Sequence, residues 1–136
     1  MWNVSPSVPV GLYSVSNARP SVGEIAVVRL PFDVAIVAHR RGYIPRANLL
    51  LKPTAATAGA RVCRIADRVF IDGILRATAM THDRKHRAMP AWHGCTTLAQ
   101  NQLFVLSATP GSFDSRYFGV LDANALIGRA HPLWTN

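Results

Sequence analysis

The sequence predicts a β-dominated protein with a partly closed arrangement of antiparallel sheets and one short helix near residues 32–42. Of the 136 residues, 49% are apolar and 16% are charged, which suits one domain with a hydrophobic core and excludes a disordered chain. About seven short segments have the apolar or β-branched composition of strands, whereas a single segment has a helical pattern.

The helix is predicted from residues 31–43, PFDVAIVAHRRGY, which follow a strand expected at residues 23–30. Pro31 suits a first helical turn, and apolar side chains recur on one face of the segment. Basic residues followed by Gly42 suit the C-terminal end of a helix.

The other predicted strands are short apolar segments separated by turn residues. Asp72-Gly73 lies between two of them and is a strong signal for a hairpin. Residues 81–96 are polar and rich in histidine, so they predict a long loop. The strands are expected at residues 47–55, 60–65, 68–73, 74–80, 101–108 and 125–134.

The chain is strongly basic, with a net charge of +8 that comes almost entirely from arginine. Its densest basic segment is residues 76–87, RATAMTHDRKHR. This segment lacks the interleaved aromatic residues of a single-strand binding face and the helical pattern of a groove reader. We therefore favour a solvated basic surface that meets anionic membranes or acidic partners, and expect no specific nucleic-acid binding.

The first candidate site is Ser7, within the segment SPSVPVG at residues 5–11. Residues before proline are restricted to extended conformations, so Pro6 and Pro9 stiffen the chain on both sides of the serine. A nucleophile benefits from such restriction because its hydroxyl is placed before the substrate arrives. Taken alone, the segment is more typical of an ordinary Pro/Ser linker than of a catalytic site.

Lys52 is the second candidate, because it directly follows three leucines in a predicted strand. If its amine is buried, desolvation lowers its pKa towards neutrality, as a general base requires. A neutral lysine in hydrogen-bond reach of a serine can take the serine's proton. The alternative is a lysine at a strand end whose ammonium reaches solvent.

Four motifs in a fixed order resemble the signal peptidase family of serine-lysine membrane proteases, in its conjugative-transfer branch of TraF-type pilin-maturation peptidases. The lysine motif carries Gly59-Ala60 where that family usually has Gly-Asp, so any role of that acid is absent. The motifs are SVPVGLY at 7–13, LLKPTAATAGARVC at 50–63, SFDSRYFG at 112–119 and GRAHPLW at 128–134.

The resemblance implies a role for each matched residue. Ser7 corresponds to the nucleophile and Lys52 to its general base. Ser5 corresponds to the serine whose hydroxyl joins the Ser7 N–H in the oxyanion hole, and Ser112 to the serine that orients the lysine.

Two further residues of the third motif, Asp114 and Arg116, match a structural ion pair behind the site. The resemblance also implies signal-peptidase-like antiparallel sheets that form a partly closed barrel. Nothing in the sequence suggests an organic cofactor or a metal.

The same resemblance implies a membrane-associated serine endopeptidase that removes the signal or pro-segment of a secreted pilin-type substrate in conjugation. The sequence is compatible with two ways of resolving the acyl-enzyme. Water could hydrolyse it, or the substrate's own amino terminus could attack it, which would join the pilin ends. A non-catalytic basic pilus-assembly or nucleic-acid-binding domain is the alternative, although it leaves the ordered motifs unexplained.

The expected location is the inner membrane, with residues 1–136 forming a single catalytic domain on the periplasmic side. The family implies a transmembrane anchor ahead of residue 1, whereas residues 1–136 by themselves are expected to be soluble. The expected partners are a pilin precursor, or another secreted protein, and the membrane surface.

Cys63 and Cys95 are 32 residues apart and fit no CxxC metal or redox pattern. Composition alone is equally compatible with a disulfide and with two separate thiols. The periplasmic location implied by the resemblance favours a disulfide. A zinc site built from His82 and His86 is disfavoured because cationic residues lie beside them.

Overall fold

The structure is a computed structural model that describes residues 1–3, 7–44 and 49–135, apart from the side chain of Trp2. Ser5, which the sequence predicts to be an oxyanion-hole donor, lies outside the described residues.

Ten strands and two helices form the described part of the chain. Neither helix approaches the length and hydrophobicity that crossing a bilayer requires. The elements are β1 (Trp2–Asn3), β2 (Gly11–Ser16), β3 (Ile25–Arg29), α1 (Phe32–Arg40), β4 (Leu49–Ala56), β5 (Arg61–Ile65), β6 (Arg68–Ile71), β7 (Ile74–Thr78), β8 (Gly94–Thr97), β9 (Phe104–Val105), α2 (Ser115–Phe118), a 3₁₀ turn (Ala123–Ala125) and β10 (Leu126–Thr135).

The strands form two antiparallel sheets. The larger sheet has the strand order β1-β2-β10-β3-β4-β9, and the smaller one has the order β7-β6-β5-β8. Neither sheet closes into a complete barrel among the described residues. The predicted fold class, mainly β with antiparallel sheets and a short helix near residues 32–42, is confirmed.

Successive side chains of β4 pack on opposite faces of the larger sheet, in two separate parts of the core. Leu50 packs in the cluster that contains α1 residue Ala38 and Phe113, whereas Leu51 packs on the opposite face with Val8. Since side chains two residues apart in a strand share a face, Lys52 emerges on the same side as Leu50.

The hairpin predicted at Asp72-Gly73 joins β6 to β7, with Ile71 opposite Ile74. Asp72 and Gly73 have φ angles of 49° and 80°, the left-handed values that a tight two-residue turn needs.

One predicted strand is much longer than the observed one, because β9 contains only residues 104–105 of the strand expected at 101–108. The helix ends at Arg40, close to its predicted end. The segment around Ser112 continues into the one-turn helix α2, which no sequence pattern indicated. No sequence pattern indicated β2, or β8, which begins inside the loop predicted at 81–96. All four residues of β8 are exposed, so β8 lacks the apolar alternation that marks a strand.

Cys63 and Cys95 form a disulfide between directly opposite positions of β5 and β8. The bond fixes β8 to the smaller sheet, where the exposed side chains of β8 contribute little hydrophobic burial. Closure of a loop with this 32-residue separation stabilises the fold by about 3–4 kcal/mol in the chain-entropy account.

The close approach of β2 and β10 predicts a large effect of substituting Gly128. A Cβ at this position would lie 2.0 Å from the backbone oxygen of Ser16, so the strands would have to separate. We expect Gly128→Ala to lower the free energy of unfolding by about 3 kcal/mol, measured by urea denaturation. Ile127→Ala, at an exposed position of the same strand, is the control and should cost about 1 kcal/mol or less. Equal stability of Gly128→Ala and the unsubstituted protein would contradict this packing.

Candidate active site

Three polar side chains from distant parts of the chain meet in the interior. The Lys52 amine hydrogen-bonds the Ser7 hydroxyl and donates to Ser112 Oγ at 2.9 Å. The two serine oxygens are 2.8 Å apart. Exposed fractions of 3%, 8% and 9% for Lys52, Ser7 and Ser112 show that the cluster is shielded from water.

The larger sheet carries Lys52 into this position. In the register of β3 and β4, Lys52 lies opposite Ala26, which is completely buried. The small alanine side chain leaves room above the sheet, and Leu50 lines the same cavity as Lys52. The lysine stem therefore runs over apolar surface and ends at the serines.

Burial is the main influence on the protonation of Lys52. Desolvation lowers the pKa of its amine from 10.5 to about 8, against the opposing effect of the Asp114 carboxylate, which raises it. The charge of Arg116 lowers the pKa further. A substantial fraction of the amine is therefore neutral at slightly alkaline pH.

The segment around Ser7 is held by hydrogen bonds to its backbone. Asn3 Nδ2 donates to the carbonyl oxygens of Val8 and Pro9, at 3.4 and 3.3 Å. The hydroxyl of the fully buried Tyr13 also donates to the Pro9 oxygen, and burial raises the pKa of this phenol so that it stays a donor. The segment is thus fixed from the neighbouring strands β1 and β2.

Ser107, just beyond β9, connects Ser7 to the third motif. Its hydroxyl donates to the Ser7 carbonyl oxygen at 3.0 Å, and its N–H donates to Asp114 Oδ2 at 2.8 Å. Its own carbonyl accepts from Arg116 Nη2 at 2.8 Å. Sequence reasoning missed this residue as part of the site, because only the fold brings position 107 next to position 7.

Asp114 and Arg116 form a buried ion pair directly behind the three side chains. Arg116 Nε and Nη2 donate to the two carboxylate oxygens at 2.7 and 2.9 Å, the two-pronged geometry that favours arginine over lysine. The Arg116 N–H donates to the same carboxylate at 3.1 Å. Because both members are buried and mutually bonded, removing either would leave an uncompensated charge in the interior.

A cavity of about 170 Å³ opens beside the cluster. Tyr43, Ile44 and Leu50 form its apolar wall, and the turn from Thr109 to Phe113 forms another side. Tyr43 and Phe113 are in ring contact, with centroids 5.3 Å apart. These wall residues carried no sequence signal, since each is typical of an ordinary core.

The structure thus brings together Ser7, Lys52 and Ser112, with Asp114 and Arg116 immediately behind them. Within the described ranges, no group of three or more His, Cys, Asp or Glu side chains could hold a metal ion.

Comparison with solved structures finds a similar chain in a signal peptidase I from Enterococcus faecalis V583. The identity is 18% and the TM-score is 0.46, over 84% of this chain and 98% of the other.

Comparison with known sequences finds proteins of conjugal transfer. The chain is 36% identical to a conjugal transfer protein TraF of Agrobacterium fabrum, covering 98% of this chain and 81% of the relative. It is 33% identical to a probable conjugal transfer protein TraF of Sinorhizobium fredii, covering 98% and 76%. A plasmid transfer protein TraF of Escherichia coli is 29% identical, with coverage of 98% and 81%.

The family described as "Signal peptidase, peptidase S26" matches residues 1–134, nearly the whole sequence. The motifs that suggested this family therefore lie within one continuous match, and the chain belongs to the S26 signal peptidase family.

Proposed function

We propose that this protein is a serine endopeptidase that uses a Ser7–Lys52 dyad to cleave the signal or pro-segment of a secreted pilin-type substrate during conjugative transfer. The observation that carries the proposal is the hydrogen bond between the buried Lys52 amine and the Ser7 hydroxyl. Burial lowers the pKa of this amine to about 8. The family and its conjugal-transfer relatives support the reaction class and the biological setting.

The first step is proton transfer from Ser7 to the neutral amine of Lys52 as the hydroxyl oxygen attacks the scissile carbonyl. The neutral amine accepts from Ser7 through its lone pair while one N–H donates to Ser112 Oγ. Ser112 therefore fixes the direction of the lone pair and acts as a positioning residue. The resulting ammonium then protonates the leaving amine, which balances the transfer and leaves an acyl-enzyme on Ser7.

The developing oxyanion is assigned to the Ser7 N–H and the Ser5 hydroxyl. This assignment is supported by the position of Ser5 two residues before the nucleophile in the family motif. A single donor of this kind contributes about 2.7–4 kcal/mol of transition-state stabilisation. Resolution of the acyl-enzyme needs a second nucleophile, either water or an amino terminus of the substrate.

The substrate is proposed to lie extended along a strand edge, where main-chain hydrogen bonds hold it without regard to sequence. Small side chains are expected at the first and third positions before the cut. The small volume of the cavity beside the dyad, about 170 Å³, supports this expectation. No cofactor has a part in this mechanism.

The proposed location is the periplasmic face of the inner membrane, with the chain as the catalytic domain of an anchored protein. Family membership supports an association with membranes. The disulfide between Cys63 and Cys95 is consistent with an oxidising compartment.

Removing either member of the dyad should abolish processing. Ser7→Ala and Lys52→Ala are each expected to lower the rate of precursor cleavage by at least about 10³-fold, because neither group can replace the other. The assay follows conversion of a purified pilin precursor by gel electrophoresis. Ser14→Ala, at an exposed serine of β2, is the matched control and should cleave normally. Full processing by either dyad variant would refute the mechanism.

The rate should also depend on pH through Lys52. Since the neutral amine is the active form, kcat/KM should rise about tenfold per pH unit below pH 8 and level off above the pKa of about 8. The measurement uses a peptide substrate with no group that titrates between pH 6 and 10. A rate that stays constant across this range, or that still rises steeply at pH 10, would contradict a lysine base with a lowered pKa.

A further inference from the structure

A second cavity, of about 340 Å³, adjoins the cavity beside the dyad. The two cavities share three wall residues, Tyr43, Gly111 and Phe113. Gly111 immediately precedes Ser112, whose hydroxyl contacts Lys52. An extended polypeptide that passes the dyad could therefore place a nearby side chain in this second cavity, since it advances about 3.3 Å per residue.

The lining of the second cavity is strongly basic. Four cations contribute to it, and Asp83 is the acidic residue in the same lining. Arg84 and Lys85 are exposed at its rim. The four cations are Arg41, Arg84, Lys85 and Arg87.

Asp83 is committed to internal hydrogen bonds. Its carboxylate accepts from the Tyr43 hydroxyl and Arg87 Nε, both at 2.7 Å, and from the N–H groups of Lys85 and Arg87, both at 2.9 Å. Burial raises the pKa of Asp83, but these hydrogen bonds outweigh it and hold the pKa well below its usual value. Asp83 therefore remains ionised and compensates Arg87, which leaves the cavity with a net positive charge.

The segment that presents Arg84 and Lys85 is a closed turn. Residues His82 and Ala88 pair as an isolated antiparallel bridge, and the Asp83 N–H donates to the Arg87 oxygen at 2.9 Å. The hydrogen bond from Tyr43 to Asp83 fastens this turn to a wall of the dyad's own cavity. The two cations are thus held at a defined place relative to the dyad.

Arg41 closes the other side of the cavity in a structural role. Its guanidinium donates to the Ala88 oxygen at 2.7 Å and to the Tyr43 hydroxyl at 3.1 Å. Since Arg41 and Arg87 both have partners within the protein, Arg84 and Lys85 are the cations placed to meet a ligand at the rim.

We propose that this cavity is a substrate subsite that binds an acidic side chain of the polypeptide being cut. The proposal rests on the peptidase function proposed above and adds a determinant of substrate choice to it. A cationic recess of side-chain size beside the scissile bond favours a carboxylate of the substrate over a flat anionic surface such as a membrane.

The test uses peptides that are acetylated and amidated, carry alanine at the first and third positions before the cut, and contain no other charge. One Glu, or one Gln as its neutral counterpart, is placed in turn at each of the other positions within five residues of the cut. We expect kcat/KM to be about fivefold higher for Glu than for Gln at one position, and the ratio to shrink with added salt. The variant R84Q/K85Q should bring that ratio close to one.

R61Q/R76Q removes two exposed positive charges from the smaller sheet and is the matched control, which should retain the Glu preference. R84E/K85E should reverse the preference, so that Lys is cleaved faster than Gln at the same position. A Glu-to-Gln ratio near one at every position in the unsubstituted protein would overturn the proposal. The proposal would also be overturned if R84Q/K85Q lost binding to phosphatidylglycerol vesicles while the unsubstituted protein showed no Glu preference. The surface would then be a membrane contact.

Binding separates this proposal from the proposed reaction. The Ser7→Ala variant, titrated calorimetrically with the whole set of peptides, should bind the Glu peptide about fivefold more tightly than its Gln counterpart at one position. If the unsubstituted protein cleaves no peptide but this difference in binding is present, the peptidase proposal fails and the subsite proposal stands. If the peptides are cleaved but Glu and Gln do not differ, the subsite proposal fails and the peptidase proposal stands.

Discussion

The burial of Lys52 sets the requirement that the surrounding residues meet. An ammonium group at 3% exposure is costly, so the interior favours the neutral amine, and hydrogen bonds to Ser7 and Ser112 satisfy its polar atom. Asp114 and Arg116 act on the pKa of Lys52 in opposite directions, since the carboxylate raises it and the guanidinium lowers it. Desolvation thus remains the dominant effect, and the same desolvation provides a base near the working pH.

The requirement extends to the fold because the three side chains are far apart in sequence. Lys52 is fixed by the pairing of β3 and β4, Ser112 by the turn before α2, and Ser7 by contacts from β1, β2 and Ser107. The Ser107 network links Ser7 to the Asp114–Arg116 ion pair, so the nucleophile and the charges behind it are positioned by one set of hydrogen bonds. A strand that shifted by one residue would turn Lys52 to the opposite face.

The sequence identified three side chains that meet in the candidate site, Ser7, Lys52 and Ser112, but not the residues that surround them. A lysine after three leucines is unusual enough to examine, and the prolines near Ser7 indicate a stiff segment. The boundaries of β9 and the presence of β8 could not be predicted, because tertiary pairing and a disulfide maintain those short strands. Ser107 escaped notice for a related reason, since its partners lie 100 and 7 residues away along the chain.

The basic segment at residues 76–87 shows how the fold changes the meaning of a pattern. In the sequence, its charges are typical of a solvated surface. In the structure, Asp83 folds part of that segment into a turn and bonds it to Tyr43, a wall of the dyad's cavity. The charges of the segment alone do not show that it lies beside the dyad. Its position depends on the hydrogen bond between Tyr43 and Asp83, which are 40 residues apart in the sequence.

Direct titration of Lys52 tests the central claim most closely. Lys85 is the other lysine in the sequence, so selective ¹³C labelling gives two Cε signals, which the variant Lys85→Arg assigns. The pKa of Lys52, followed by NMR in the folded protein, should be about 8. A pKa near the ordinary value of 10.5 would mean that the amine is not desolvated, and would contradict the account.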